Sequence, residues 1–253
     1  MVINDFITFL EKFYLSHSSI TMDINKVLTI LQEATHQFAN KSLNSSQVTK
    51  EILSQAYHND WTGDHLEHFC HIYYTWTLET PENVEVSAVL VQDVISLEID
   101  GKMFRTHWFH RLQEDFQNAS VLKMTNRRRW INFASYLCKI LVNLTINGAP
   151  ILVILGPTCT CLDMLLTSQD TTSEEIECGV KQLVNCGPLL TEYYSDGLEQ
   201  LMTKIRHKIL ASDTPLVGQT FLLEAFSFIW EEWKLKSSVK ETTKIVSLKY
   251  RFH

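Results

Sequence analysis

Eight glycines and five prolines in 253 residues are few for this length. Such scarcity argues for long helices over many turns. Long apolar runs are missing too. The longest, Ala149 to Leu155, falls far short of a membrane span. The start of the chain, MVINDFITFLEKF, has an early Asp5 and no basic segment, so no signal peptide is read there. The chain is therefore expected inside the cell, with its six cysteines reduced. Basic charge is short overall. The formal net charge of −7 disfavours nucleic-acid binding over the whole surface. The exception is the segment from Lys234 to His253, with six Lys or Arg against one Glu. The sequence also lacks Gly-x-Ser-x-Gly, a phosphate-binding glycine loop, a dinucleotide fingerprint, His-Glu-x-x-His and any Cys-x-x-Cys pair. Those absences remove the commonest signs of hydrolases, nucleotide enzymes and zinc sites.

What is present is helical periodicity. Trp130, Phe133, Ala134, Leu137, Cys138, Leu141 and Leu144 recur on one helical face, with Asn132, Ser135, Lys139 and Asn143 on the other. Ahead of them, Phe104, Trp108, Leu112 and Phe116 are spaced by four, giving a helix pair joined by a polar turn. Similar stripes are read over residues 2–15, in Ile24, Val27, Leu28 and Leu31 after an Asp23 cap, and over 47–57 and 61–78. Thr80-Pro81-Glu82 and Thr214-Pro215 have the composition of helix starts. Thr172 with Glu175 fits a capping box, and Gly187-Pro188 is read as a break. Stripes follow at Leu198, Leu201, Met202, Ile205 and Ile209, and from Val217 to Ile229. About ten helices pair into about five hairpins, the unit of an α-solenoid, with no sheet of consequence.

Three constellations are candidates for chemistry. His65, His68 and His71, with Cys70 beside them, have zinc-binding side chains. Steps of three drift around a helix, so one metal does not meet all three, and no metal or cofactor is expected. Cys159 and Cys161 point apart on a helix and lack a second pair, so packing is expected of them. Arg127, Arg128 and Arg129 stand where a helix begins, the end at which cations are unfavourable. Their planar guanidiniums suit a carboxylate or phosphate of a partner. A solvated helix start is the plain alternative.

The segments Phe104-Arg105, Arg111-Leu112-Gln113, Arg129-Trp130 with Phe133, and Glu175, Leu183, Gly187 and Leu190 carry a resemblance. With the run from Leu198 to Ile209 and the stretch from Glu231 to Lys234, the chain resembles the family of the middle domain of eukaryotic translation initiation factor 4 gamma. It is most similar to that family's small stand-alone members, among them the stem-loop-binding-protein-interacting protein. The related domains of the poly(A)-binding-protein-interacting and cap-binding-complex-dependent initiation factors belong to the same group. The resemblance is strongest over 104–234. It implies an all-α superhelix of HEAT-like hairpins over 1–235, followed by a basic tail over 236–253. It also implies a non-enzymatic adaptor that links mRNA-bound proteins to initiation factors, in the cytoplasm and also the nucleus. A weak RNA contact and a homodimer are further expectations. Partner binding is expected at Arg127, Arg128 and Arg129, together with Arg105 and Lys234 from the matching segments. The alternatives are a HEAT-like scaffold in mRNA export or decay and, more remotely, a metal-dependent enzyme. The family's cap-binding-protein motif, Tyr-x4-Leu-apolar, occurs only as Tyr136 with Leu141-Val142, inside the strongest core helix.

Overall fold

The computed structural model describes residues 20–58, 60–146, 148–210 and 218–223. The stripe of residues 2–15, the Thr214-Pro215 start, Lys234 and the basic tail lie outside them. Contacts divide the chain into two compact units, Met1–Glu114 and Asp115–His253. The described secondary structure is helical apart from two short antiparallel ladders.

The first unit holds α1 (Ile20–Ala39), α2 (Ser45–His58), α3 (Gly63–Thr77) and α4 (Pro81–Val94). Helix α1 is already under way at Ile20, so Asp23 lies inside it and does not cap it. Thr80 caps α4 through its side chain, and Pro81 occupies the first turn, where its missing N–H costs nothing. Strands β1 (Glu98–Ile99) and β2 (Lys102–Met103) are joined by Asp100-Gly101, both at positive φ as a type I′ hairpin requires. Helix α5 (Phe104–Gln117) follows directly. The core is aromatic. Phe69 and Tyr73 of α3 meet Phe104 at ring-centroid distances of 5.5 and 5.6 Å, and Trp61 meets Phe69 at 5.4 Å.

The second unit begins at Asp115, within α5. It contains α6 (Ala119–Thr125) and α7 (Arg127–Asn143), then the hairpin of β3 (Thr145–Ile146) and β4 (Ala149–Pro150). A 3-10 turn (Leu152–Ile154), α8 (Leu155–Thr167), α9 (Ser173–Tyr193) and α10 (Ser195–Leu210) complete the named elements. Residues 218–223 are helical as well, and Leu222 is buried. Helix α6 fills what reads in sequence as a polar turn. Seven residues with polar flanks are too few to show a period.

Helix α7 is the centre of this unit, packed against α6, α8 and α9. Trp130, Phe133, Ala134, Leu137, Cys138, Leu141 and Leu144 are all buried, as their spacing predicts. Its other side is not the solvent face that Asn132 and Lys139 suggest. Both are buried, Asn132 to 2% exposure, because neighbouring helices enclose α7 on more than one side. Gly179 lets α9 approach α8, since a Cβ there would stand 2.7 Å from Leu166 Cδ2.

Pro188 does not break the chain: α9 runs through it to Tyr193. The ring is on the exposed side, while Leu183, Cys186, Gly187 and Leu190 continue the buried stripe across it. Packing on both sides of the proline outweighs its local cost. Pro188→Ala is therefore expected to stabilise the chain, by up to about 3 kcal/mol. Urea unfolding midpoints measure the gain, and an unchanged or lower midpoint contradicts it.

Candidate functional site

The arginine run opens α7 behind a true cap: Asn126 Oδ1 accepts a hydrogen bond from Arg129 N at 3.1 Å. The three arginines then part company. Arg129 donates from Nη2 to Asp115 Oδ2 at 3.0 Å. Arg127 turns to two acids from the start of α9 and the loop before it, 3.7 Å from Glu175 and 3.9 Å from Asp170. Arg128 is exposed, and no described carboxylate forms an ion pair with it. The unfavourable placement of cations at this helix end is thus offset locally by acids supplied from other elements.

Glu175 is the hinge of the cluster and is fully buried. Its capping box with Thr172 is formed: Thr172 N donates to Oε2 at 2.9 Å, and Glu175 N donates to Thr172 Oγ1 at 3.3 Å. Its other oxygen accepts a hydrogen bond from Trp130 Nε1 at 3.1 Å. Lys123 of α6 stands 3.8 Å away, with its side chain only 5% exposed. Lys123 also donates to Asp170 Oδ1 at 2.7 Å. One carboxylate therefore joins the starts of α7 and α9 to α6. Trp130 and Glu175, both among the residues that carry the family resemblance, are partners in one hydrogen bond.

The Lys123 hydrogen bond holds the Asp170 carboxyl below its ordinary range, with the charges of Lys123 and Arg127 adding to it. A carboxylate with a depressed folded pKa stabilises the fold above its unfolded value, about 3.9. That contribution disappears as pH falls through the folded value. Asp170→Asn is expected to be less stable than the parent at neutral pH. The gap closes as both are taken below about pH 4. Parallel thermal melts against pH measure this, and a gap that is constant with pH contradicts it.

The other sequence candidates are placed as follows. Arg105 is exposed on α5, in the first unit, and Lys234 is outside the described residues. His65 serves as the third residue of α3 in a capping box, its Nδ1 accepting from Thr62 N at 2.9 Å. That bond puts the ring proton on Nε2. Among the described residues no three His, Cys, Asp or Glu side chains converge as a metal set. All six cysteines are free. Burial raises Cys70 to about 12 and Cys159 and Cys178 each to about 11, and it pushes Cys138 and Cys161 up as well. Such thiols are protonated at neutral pH and are poor nucleophiles. Tyr136 and Leu141 are fully buried, so the Tyr-x4-Leu match is core and offers nothing to a partner.

Two features escape sequence reading. Lys123 lies inside, and the two acids that receive it are 47 and 52 positions away in the chain. On the same short helix Val121 and Met124 lie outside, 53% and 74% exposed. No described helix is long and apolar enough to cross a membrane.

Residues 40–249 match the MIF4G domain. The chain belongs to the MIF4G domain family. Its helical architecture is the all-α, HEAT-like fold of that family. Among curated proteins it is 24% identical over 209 residues to the CBP80/20-dependent translation initiation factor of Xenopus tropicalis. That match covers 82% of this chain and 32% of the relative. It is 27% identical over 146 residues to MIF4G domain-containing protein B of Danio rerio, covering 57% of this chain and 66% of the relative. The human MIF4G domain-containing protein is 28% identical over 142 residues, covering 55% and 64%. The chain thus spans a third of the first relative and just under two thirds of the other two.

Proposed function

We propose that this MIF4G chain is a non-catalytic adaptor in translation initiation, joining proteins bound to mRNA to initiation factors. The observation that carries the reading is the family match across residues 40–249, which includes a relative named as a translation initiation factor. The placement of the reactive side chains supports it. His65 is committed to a helix cap, and burial holds Cys70, Cys138 and Cys161 as thiols. The docking surface is the exposed start of α7, with Arg128 foremost and Arg127 beside it. Arg105, Lys234 and a weak RNA contact are further parts of the same reading. So are a homodimer and residence in the cytoplasm and nucleus.

The structure separates three arginines that sequence treats alike. Arg128→Glu removes no ion pair and places an acid at a helix start, so its melting temperature is expected to equal or slightly exceed the parent's. Arg129→Glu sets two carboxylates against each other and is expected to lower it. Affinity purification from eukaryotic cells, read by mass spectrometry, tests the function. Initiation factors are expected with the parent, and fewer with Arg128→Glu, above all at low salt. Recovery of export or decay factors instead would move the scaffold to another mRNA process. Recovery of the same initiation factors with undiminished yield would remove Arg128 from the interface.

A further inference from the structure

Helix α6 is patterned inside out. An ordinary surface helix buries its apolar side chains and leaves lysine in water. Here Ala119 and Lys123 face inward, and Lys123 is held by Asp170 and Glu175. Val121 and Met124, three residues apart and so on one face, point to solvent. Met124, at 74% exposure, is as open as any large apolar side chain described, matched only by Val153. Lys123 is held inside by its two acids, while Val121 and Met124 bury little of their surface in this fold. An exposed apolar face on such a helix is a recognition surface. Methionine suits that use, since its unbranched, polarisable chain adapts to different partners.

The surroundings specify the partner's charge. Arg128 is four residues beyond Met124, within about 14 Å even if the chain were fully extended. It is exposed and lacks a described carboxylate partner, while Arg127 beside it is 42% exposed. Three acids at these helix starts, Asp115, Asp170 and Glu175, are engaged with Arg129, Lys123 and Arg127, while Glu174 beside Glu175 is exposed. An exposed arginine therefore follows the apolar face of α6 within four residues.

We propose that the outer face of α6, with Arg128, docks an amphipathic acidic segment of a partner protein. The segment's apolar side chains cover Val121 and Met124, and a carboxylate pairs bidentately with Arg128. This rests on the adaptor reading and names the chemistry of what is adapted. An RNA strand fits the observations less well: phosphates would use Arg128 but would leave Val121 and Met124 uncovered.

The test displays random short peptides to the full chain and measures the affinity of those selected. Sequences combining Glu or Asp with Leu, Ile or Phe are expected. Met124→Ser and Arg128→Glu are each expected to weaken them by roughly tenfold or more. Circular dichroism and melting temperature confirm that both variants are folded, which their exposure favours. Selected peptides without acidic residues, or with affinity indifferent to Met124→Ser, overturn the proposal. So does binding of single-stranded oligouridylate that depends on Arg128 and not on Met124. The two readings fail separately. Initiation factors recovered equally by parent and Met124→Ser sink this surface and leave the adaptor standing. Peptide docking at α6 without recovery of initiation factors sinks the adaptor role alone.

Discussion

Trp130→Ala is expected to destabilise the chain by about 3–5 kcal/mol. The indole is fully buried at the start of α7, 6.3 Å by ring centroid from Phe133. Truncation leaves a cavity at the most enclosed helix of the second unit, and the surrounding helices collapse into it only in part. It also removes the Nε1 donor that Glu175 Oε1 accepts from. Trp130→Phe separates the two contributions. It keeps most of the apolar contact and loses only the donor, so a cost of about 1–3 kcal/mol is expected. Urea denaturation of both variants decides the matter. If Trp130→Ala unfolds at the parent's midpoint, the indole is not the anchor of this unit.

Glu175→Ala is expected to cost a similar amount, about 3–5 kcal/mol, although it removes a far smaller side chain. The reason is what it strands. Lys123 is left as a buried ammonium with only Asp170, itself half in water, to balance it. Trp130 Nε1 and Thr172 N lose their acceptor as well. Glu175→Gln is expected to cost less, because the amide oxygen still accepts from one of the two donors. Removing both members tests the logic further. Lys123→Met with Glu175→Gln is expected to recover part of the loss, since no unpaired charge stays buried. A double variant as unstable as the sum of the singles contradicts it.

These two residues show how far sequence reading reaches. Trp130 is legible because it heads a stripe of 3.6-residue period, and burial alone accounts for its place. The Thr172–Glu175 cap is legible because its four residues are consecutive and its geometry is local. That Trp130 and Glu175 bond to each other is not legible, since they are 45 positions apart with a helix hairpin between them. The same holds for Lys123, which any hydropathy pattern assigns to water until its buried carboxylate partner is known. Pro188 misleads in the opposite direction. Its local rule is sound, but the rule yields where the ring faces outward and a buried stripe continues past it. The arginines were legible as a charge cluster and not as individuals. Only the fold shows that Arg127 and Arg129 have acids beside them and that Arg128 faces out.

If this MIF4G chain is the initiation adaptor we propose, it promotes initiation on an mRNA to which it is brought. Fusing the full chain to an RNA-hairpin-binding coat protein, and placing that hairpin in the untranslated region of a reporter mRNA, measures this directly. Protein made per reporter mRNA is expected to rise with the parent fusion and to fall back towards the untethered level with Arg128→Glu, at equal fusion abundance. Tethering of a folded, well-expressed parent that leaves reporter translation unchanged would contradict the account.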